Sequence, residues 1–462
     1  MQAAVMDVRR RRSWLAEQEG GLYSMGEGAI ASRTRASALS DRMADAPQAP
    51  AFTFVCLGVS GGPLETNCSG YIMKPGDQPW DKGATLVEGG SWLGALVRIL
   101  EDPDNTAFAD APFPPGISAE SRAEMLNAWV SQVLISHGHL DHTLGLILAS
   151  ASQRSQRSIY GFKDTLDSLL GVFNGRIWPR LASYNASDPL AFYHLRPMDV
   201  GIPLLLHPGI SVVPYAISHG MSILEEGADA HSQFDMPVPD ACSLGPIAHC
   251  VSTAFMLTNC RLDRDVLVRC NISLTQFLGD VEPDSIGGMH LNKMLWEKIA
   301  PRVAAKKMTT MFIECSFDSQ LPDSLLFGHL TPLHLYAELR SLAMCVCQAR
   351  NAAHPTRTHE LDQSLADLTC VITHIKAMHL PCVLPSTVNV GMPENMPKEM
   401  GKPVDVCNNC SHALPIPLPE IIERELAELE AKERLGVKFI IAKQGLRIGS
   451  YTRSAHARML NL

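Results

Sequence analysis

From Phe52 onward, short apolar runs alternate with glycine-rich turns and with stretches of helical spacing. Phe52 to Leu57 is a β-type run closed by a turn from Gly58 to Pro63. Tyr71 to Met73 and Thr85 to Val87 read as the next two strands, the second stopping at Gly89 and Gly90. Trp92 to Leu100 and Ser118 to Val130 carry helical spacing, with a Pro- and Asp-rich loop at 101–117 between them. Val133 to Ile135 is a continuous apolar run, as expected of a strand buried on both faces. Leu144 to Leu148 continue as a helix. Further strands are predicted at Ile210 to Ile217, Phe255 to Leu257, Ser273 to Leu278, Met308 to Ile313, Thr369 to Thr373 and, as the last, Val437 to Ala442. Residues 419–434 predict a charged helix whose Ile421, Ile422, Leu426 and Leu429 form a core-facing stripe.

This alternation predicts an α/β architecture. Residues 1–50 show no period and read as a disordered tail. Residues 51–462 read as one domain, with irregular inserts near 221–250 and 380–418 that are rich in Pro, Cys, Met and Asn. Several strands end in polar residues able to bind metal. In layered α/β folds that edge is where sites are built.

Composition narrows the function. The net charge is -9, from 39 Lys and Arg against 48 Asp and Glu, which argues against a broad nucleic-acid surface. No apolar segment follows the basic cluster Arg9 to Arg12 as a signal peptide requires, and no window of about 18 apolar residues predicts a membrane span. These features predict a cytoplasmic protein with its 13 cysteines reduced. Cys407 and Cys410, with Cys382 and His412 nearby, form a lone Cys-x-x-Cys that reads more readily as loop than as a structural zinc site.

The strongest chemical signal is His137-Gly138-His139-Leu140-Asp141-His142, placed between a predicted strand and a predicted helix. His137 and His139 lie two apart, so an extended loop projects them to one side. Asp141 and His142 follow in the next turn. Four ligand-type side chains in six positions exceed what one tetrahedral ion needs from one segment, which points to two adjacent ions. Such a cluster is expected by chance only about 0.001 times in a chain of this composition.

The cluster after a strand resembles the metallo-β-lactamase superfamily. The longer string from His137 to Ala151 is similar to the class II cyclic-nucleotide phosphodiesterases. So are Leu57 to Asn67, Phe173 to Pro179, Glu314 to Phe317, Leu326 to Pro332 and Val371 to Lys376, which come in that family's order. Two positions depart from the pattern. Thr143 replaces an aliphatic residue and is expected to act as a capping-type residue at the helix start. Glu88, before Gly89, stands where the superfamily commonly has Asp in a supporting role.

The resemblance implies a four-layer αββα sandwich and a dinuclear site. By it, His137, His139 and His219 would hold one ion. Asp141, His142 and His374 would hold the other, and Asp280 would bridge. The metals would be zinc, with manganese or iron also suited to the donors. The implied reaction is hydrolysis of cAMP or cGMP to a nucleoside 5′-monophosphate by a metal-activated hydroxide that Asp141 orients. His329 would protonate the leaving oxygen, and Glu314 would hold its tautomer. His334, one helical turn on, reads as structural. Phe173 and Trp178 are candidates for stacking on the base, and Asn67 for a phosphate or ribose contact. The family also implies a homodimer. Two alternatives remain at this point: a tRNA 3′-processing endonuclease of the same fold, and a non-catalytic cyclic-nucleotide-binding protein.

Overall fold

The computed structural model describes residues 50–223, 247–260, 272–356, 359–376 and 416–450. The tail at 1–49, most of both predicted inserts, and Cys382, Cys407, Cys410 and His412 lie outside the described residues. In chain order the elements are β1 (Phe52–Gly58), β2 (Gly70–Pro75), β3 (Thr85–Gly89), α1 (Leu93–Glu101), α2 (Ala119–Trp129), β4 (Gln132–Leu134), α3 (Leu140–Ala149), β5 (Arg157–Gly161) and α4 (Lys163–Val172). They continue with β6 (Ala182–Ser183), β7 (Tyr193–Pro197), β8 (Leu204–His207), β9 (Ile210–Ile223), β10 (Ile247–Cys260), β11 (Ile272–Leu278), α5 (Asp284–Gly287) and α6 (Leu291–Ala304). The chain closes with β12 (Met308–Glu314), α7 (Pro332–Ala353), β13 (Thr369–Thr373), α8 (Leu418–Glu433), β14 (Lys438–Ile441) and β15 (Arg447–Ser450).

Among the described residues there are two sheets, ordered β15-β1-β2-β3-β4-β5-β7-β6 and β14-β13-β12-β11-β10-β9-β8. The period-2 alternation of the strands explains how they stack. Phe52, Phe54 and Cys56 of β1 point to one face and meet Phe255, Phe277, Phe312 and Val371 of the second sheet. Val55 and Leu57 point the other way, into a core closed by α1 to α4. Met311 and Ile313 of β12 face away from the first sheet, toward α6, α7 and α8. Three separate cores therefore lie between four layers, helix, sheet, sheet and helix. An aromatic cluster sits in the middle seam, with ring centroids 4.8 Å apart for Phe54 and Phe312 and 4.7 Å for Tyr71 and Phe277. Pairs of this kind add about 0.5–1.5 kcal/mol beyond their buried area.

Several predicted elements shift. Val437 to Ala442 is not the last strand, because β15 follows and pairs with β1 from Phe52↔Ser450 to Val55↔Arg447. Ile210 to Ile217 extends to Ile223, since β10 runs beside it over that whole length. Thr143 is not a cap. It lies inside the first turn of α3, where its hydroxyl donates to the His139 carbonyl at 2.9 Å. The stripe on α8 faces the core mainly through Ile422 and Leu426. Cys56, Cys68, Cys250, Cys315, Cys345, Cys347 and Cys370 are free thiols. Among the described residues no helix is long and apolar enough to cross a membrane.

Candidate metal and active site

The site residues converge at the ends of parallel strands. β4 runs out at Leu134, and the chain turns through His137 into α3. β11, β12 and β13 end side by side, with Glu314 paired to Thr373. That register places Asp280, Glu314 and His374 along one edge. His219 arrives differently. Ser218 pairs with Val251 and Met221 with His249, so His219 and Gly220 together oppose Cys250 alone. This is a β-bulge, and Gly220 takes the φ of +81° it requires. The bulge turns His219 toward the cluster from within a long strand.

All seven predicted ligands come together in two sets that share one carboxylate. His137, His139, His219 and Asp280 bring one donor atom each within 4.8 Å of one another, and so do Asp141, His142, Asp280 and His374. Asp280 Oδ1 lies 3.1 Å from His142 Nε2, and Oδ2 lies 3.1 Å from His374 Nε2 and 3.7 Å from both His137 Nε2 and His219 Nε2. Asp141 Oδ2 is 3.2 Å from His374 Nε2. His137, His142, His219, His374 and Asp280 are buried. The open side of the cluster is formed by His139, which is exposed, and Asp141, whose side chain is 23% exposed.

Partners behind the ring select which nitrogen each imidazole presents. His137 Nδ1 meets Ser136 Oγ at 3.0 Å, and His219 Nδ1 meets the Gly328 carbonyl at 3.0 Å. His374 Nδ1 meets Ser316 Oγ at 3.1 Å, and His142 Nδ1 lies 3.4 Å from Glu88 Oε2. The four Nε2 atoms are left facing inward. His139 presents Nδ1 instead, 3.0 Å from His137 Nε2 and 3.2 Å from His219 Nε2. Nitrogens gathered this tightly are suited to binding cations. The donor set of five imidazoles and two carboxylates fits divalent metal.

The charges around the cluster follow from its burial. Burial lowers His137 and His219, the latter to about 4. His142 is the exception. Burial works against its protonation, but the Asp280 and Glu88 carboxylates outweigh it and raise the group well above the ordinary histidine value. Asp280 is likewise opposed by burial, and His142 and His374 hold it well below the carboxylate range.

Glu314 and His329 lie beside the cluster and bring donor atoms within 4.8 Å of one another and of His374. His329 Nδ1 is 3.1 Å from both carboxylate oxygens of Glu314. The His329 ring lies between His219 and His374, at centroid distances of 5.3 Å and 5.0 Å. Glu314 also accepts from the Val281 N–H and the Ser316 hydroxyl. Burial and the charge of Asp280 raise Glu314 to about 7, while burial lowers His329 to about 4. His334 bonds Thr331 Oγ1 in the first turn of α7.

The predicted base contacts are not found at the cluster. Phe173 is 1% exposed and packs edge-on against Tyr193 in the core beneath α4, so neither ring face is open to a ligand. Trp178 donates its Nε1–H to Ser150 Oγ. Ser150 ends the helix that His139 begins, roughly 15 Å away at 1.5 Å per residue. Asn67 spends its Oδ1 on the Val59 N–H at 3.2 Å, closing the loop between β1 and β2. That loop does reach the site, since a Cβ on Gly61 would lie 2.4 Å from the His374 ring. Ser136, Ser316 and the Gly328 carbonyl were not anticipated. Each adjoins or lies within two residues of a predicted site residue, which is the one signal the chain offers for them.

Fold and site together define a metal-binding member of the metallo-β-lactamase fold, and comparison with known proteins places it more narrowly. The family model of the class-II cAMP phosphodiesterases matches residues 117–445. The chain belongs to that family. It is 29% identical over 350 residues to a 3′,5′-cyclic-nucleotide phosphodiesterase of Schizosaccharomyces pombe, covering 73% of this chain and 85% of that one. It is 28% identical over 327 residues to a probable 3′,5′-cyclic-nucleotide phosphodiesterase of Yersinia pestis, covering 71% and 78%. The crystal structure of unliganded yeast PDE1 superposes with a TM-score of 0.61 at 19% identity, over 86% of this chain and 99% of that one.

Proposed function

We propose that this protein hydrolyses the 3′,5′-cyclic nucleotides cAMP and cGMP to nucleoside 5′-monophosphates, using two divalent cations, zinc foremost. The observation that supports this most is Asp280, shared by two four-residue donor sets. His137, His139 and His219 would hold one ion, Asp141, His142 and His374 the other, with Asp280 between. Ions bound there would lower the pKa of a water and offset the charge of the phosphodiester.

The remaining work belongs to side chains. Asp141 reaches the solvent side of the cluster and orients the attacking water. Attack at phosphorus breaks the bond to the 3′ oxygen, which leaves needing a proton. His329 supplies it from Nε2, because Glu314 holds Nδ1. Burial lowers the proton affinity of His329, and the Asp280 and Asp141 carboxylates, with an anionic substrate in place, oppose that loss. Ser316 links this pair to the ligand His374.

The test is turnover of cAMP and cGMP with metal content measured on the same sample. About two zinc per chain and formation of the 5′-monophosphate, both lost in His137→Ala, is the expected result. Two bound metals without cyclic-nucleotide turnover would overturn the substrate assignment, and a metal-free protein would overturn the site.

A further inference from the structure

Phe327 is the tip of a tight turn whose other side chains are covered. Leu326 and Leu330 are buried at 1% and 0% exposure, and His329 at 6%. The His329 N–H returns to the Leu326 carbonyl at 3.1 Å. Phe327 alone faces outward, 70% exposed, and it does so with φ at +50°. A residue with a Cβ is strained in that region, and here the strain gains no packing in return.

The turn is fastened to the site. The Gly328 carbonyl meets His219 Nδ1, and a Cβ on Gly220 would lie 3.3 Å from Gly328 Cα. Met221, which follows Gly220, is 66% exposed, and Leu140, between His139 and Asp141, is 60% exposed. The elements that build the cluster thus also carry exposed apolar side chains, with an aromatic ring two residues from His329.

We propose that Phe327 is the surface on which the base of the nucleotide stacks. The assignment rests on cyclic-nucleotide hydrolysis at this centre and names the residue that recognises the base. An aromatic face serves any base and favours the larger purines. Met221, next to the Gly220 that packs on Gly328, adds an exposed apolar side chain on the neighbouring strand. The strain at Phe327 then has a use, since it keeps the ring turned out of the protein.

Steady-state kinetics of Phe327→Gly and Phe327→Trp with cAMP and with 3′,5′-cyclic UMP test this, with thermal melts alongside. Glycine removes the ring and relieves the backbone. The expected result is a KM for cAMP raised about tenfold, a smaller rise for the pyrimidine, and a melting temperature equal to or above that of the unaltered protein. The Trp variant should keep a KM close to the original. A Gly variant with unchanged KM would overturn the assignment while leaving the activity standing. Equal KM increases for both nucleotides with a lower melting temperature would overturn it too, as a structural role. An unaltered protein with no turnover of either nucleotide would overturn the activity itself, and the stacking role with it.

Discussion

Glu88 lies behind His142, its Oε2 3.4 Å from the ring Nδ1, and holds that imidazole with Nε2 turned toward Asp280. It does so from a strained backbone, with φ at +58°, and at 1% exposure. The carboxylate also faces the Ser136 N–H at 3.3 Å, which ties the loop entering His137 to the loop leaving β3. A longer acid in the position of an Asp therefore still reaches the ring it supports. Glu88→Gln keeps the shape and removes the charge that favours a basic imidazole. Metal affinity should fall about 10–100-fold, as for other outer partners of ligating histidines. Competition against a zinc chelator measures this, and unchanged affinity would show that Glu88 does not tune the ligand.

The Glu314–His329 pair predicts a pH effect with a definite sign. Both Glu314 oxygens face His329 Nδ1, and burial raises the Glu314 carboxyl to about 7, so near and above that pH it carries a charge that favours the protonated imidazole, and removing that charge lowers the His329 pKa further. In Glu314→Gln the acid form of His329 is lost at lower pH, and the alkaline limb of the kcat profile should move toward acid. Turnover of cAMP at neutral pH should drop about 10²–10⁴-fold, the usual worth of a positioned acid. Bis(p-nitrophenyl) phosphate, whose leaving group departs without a proton, should be spared most of that loss. An equal loss on both substrates would remove His329 from the proton-transfer role.

What was legible in the chain follows from what its chemistry demands. His137 to His142 stands out because few other functions put four metal-binding side chains in six positions. Asp280 and His374 could be placed because each follows a strong β-type run. His219 was found for a partly mistaken reason, since it sits in a bulge inside β9 that depends on the register of β10. β15 was missed because Arg447 to Ser450 has little β character of its own, and pairing with the edge of β1 makes it a strand. Phe173 and Trp178 stand out in the sequence for their aromatic character, which does not tell which rings are exposed. Phe173 is filled in on both faces, whereas Phe327 stands in solvent.

Arg157 is a buried cation whose hydrogen bonds run to carbonyl and amide oxygens, and its environment predicts a stability cost on substitution. Its Nε donates to the Val130 carbonyl at 2.9 Å, and its Nη2 to the Asn127 carbonyl and Oδ1. These bonds anchor the end of α2 to β5, and Asn127 Oδ1 also receives the Trp92 indole N–H. Burial lowers the Arg157 pKa from its ordinary value. A lysine cannot reproduce the planar fork and would leave acceptors unpaired in the core. Arg157→Lys should lose about 2–4 kcal/mol in urea unfolding, with metal content retained in the folded fraction. A loss under about 0.5 kcal/mol, typical of surface sites, would show that the fork is dispensable.

Asp110 couples the loop before α2 to the last strand, and it makes the closure of the first sheet sensitive to acid. Its carboxylate receives both Nη groups of Arg447, at 2.6 Å and 2.9 Å, and the Trp80 indole N–H at 2.9 Å. Lys74 Nζ lies 3.4 Å away. Partial burial alone would raise the carboxyl, but the Arg447 and Trp80 hydrogen bonds outweigh it and lower the group to about 2. A carboxyl depressed in the folded state stabilises the fold at every pH above its unfolded value, near 4, and loses that contribution as pH falls from about 4 to about 2. Asp110→Asn should therefore lower the urea midpoint at pH 7, and its difference from the unaltered protein should shrink as pH falls below 4. Salt should weaken the effect, because the carboxylate is partly exposed. A difference between the two proteins that stays constant from pH 7 to pH 2 would show that Asp110 acts through its shape and not its charge.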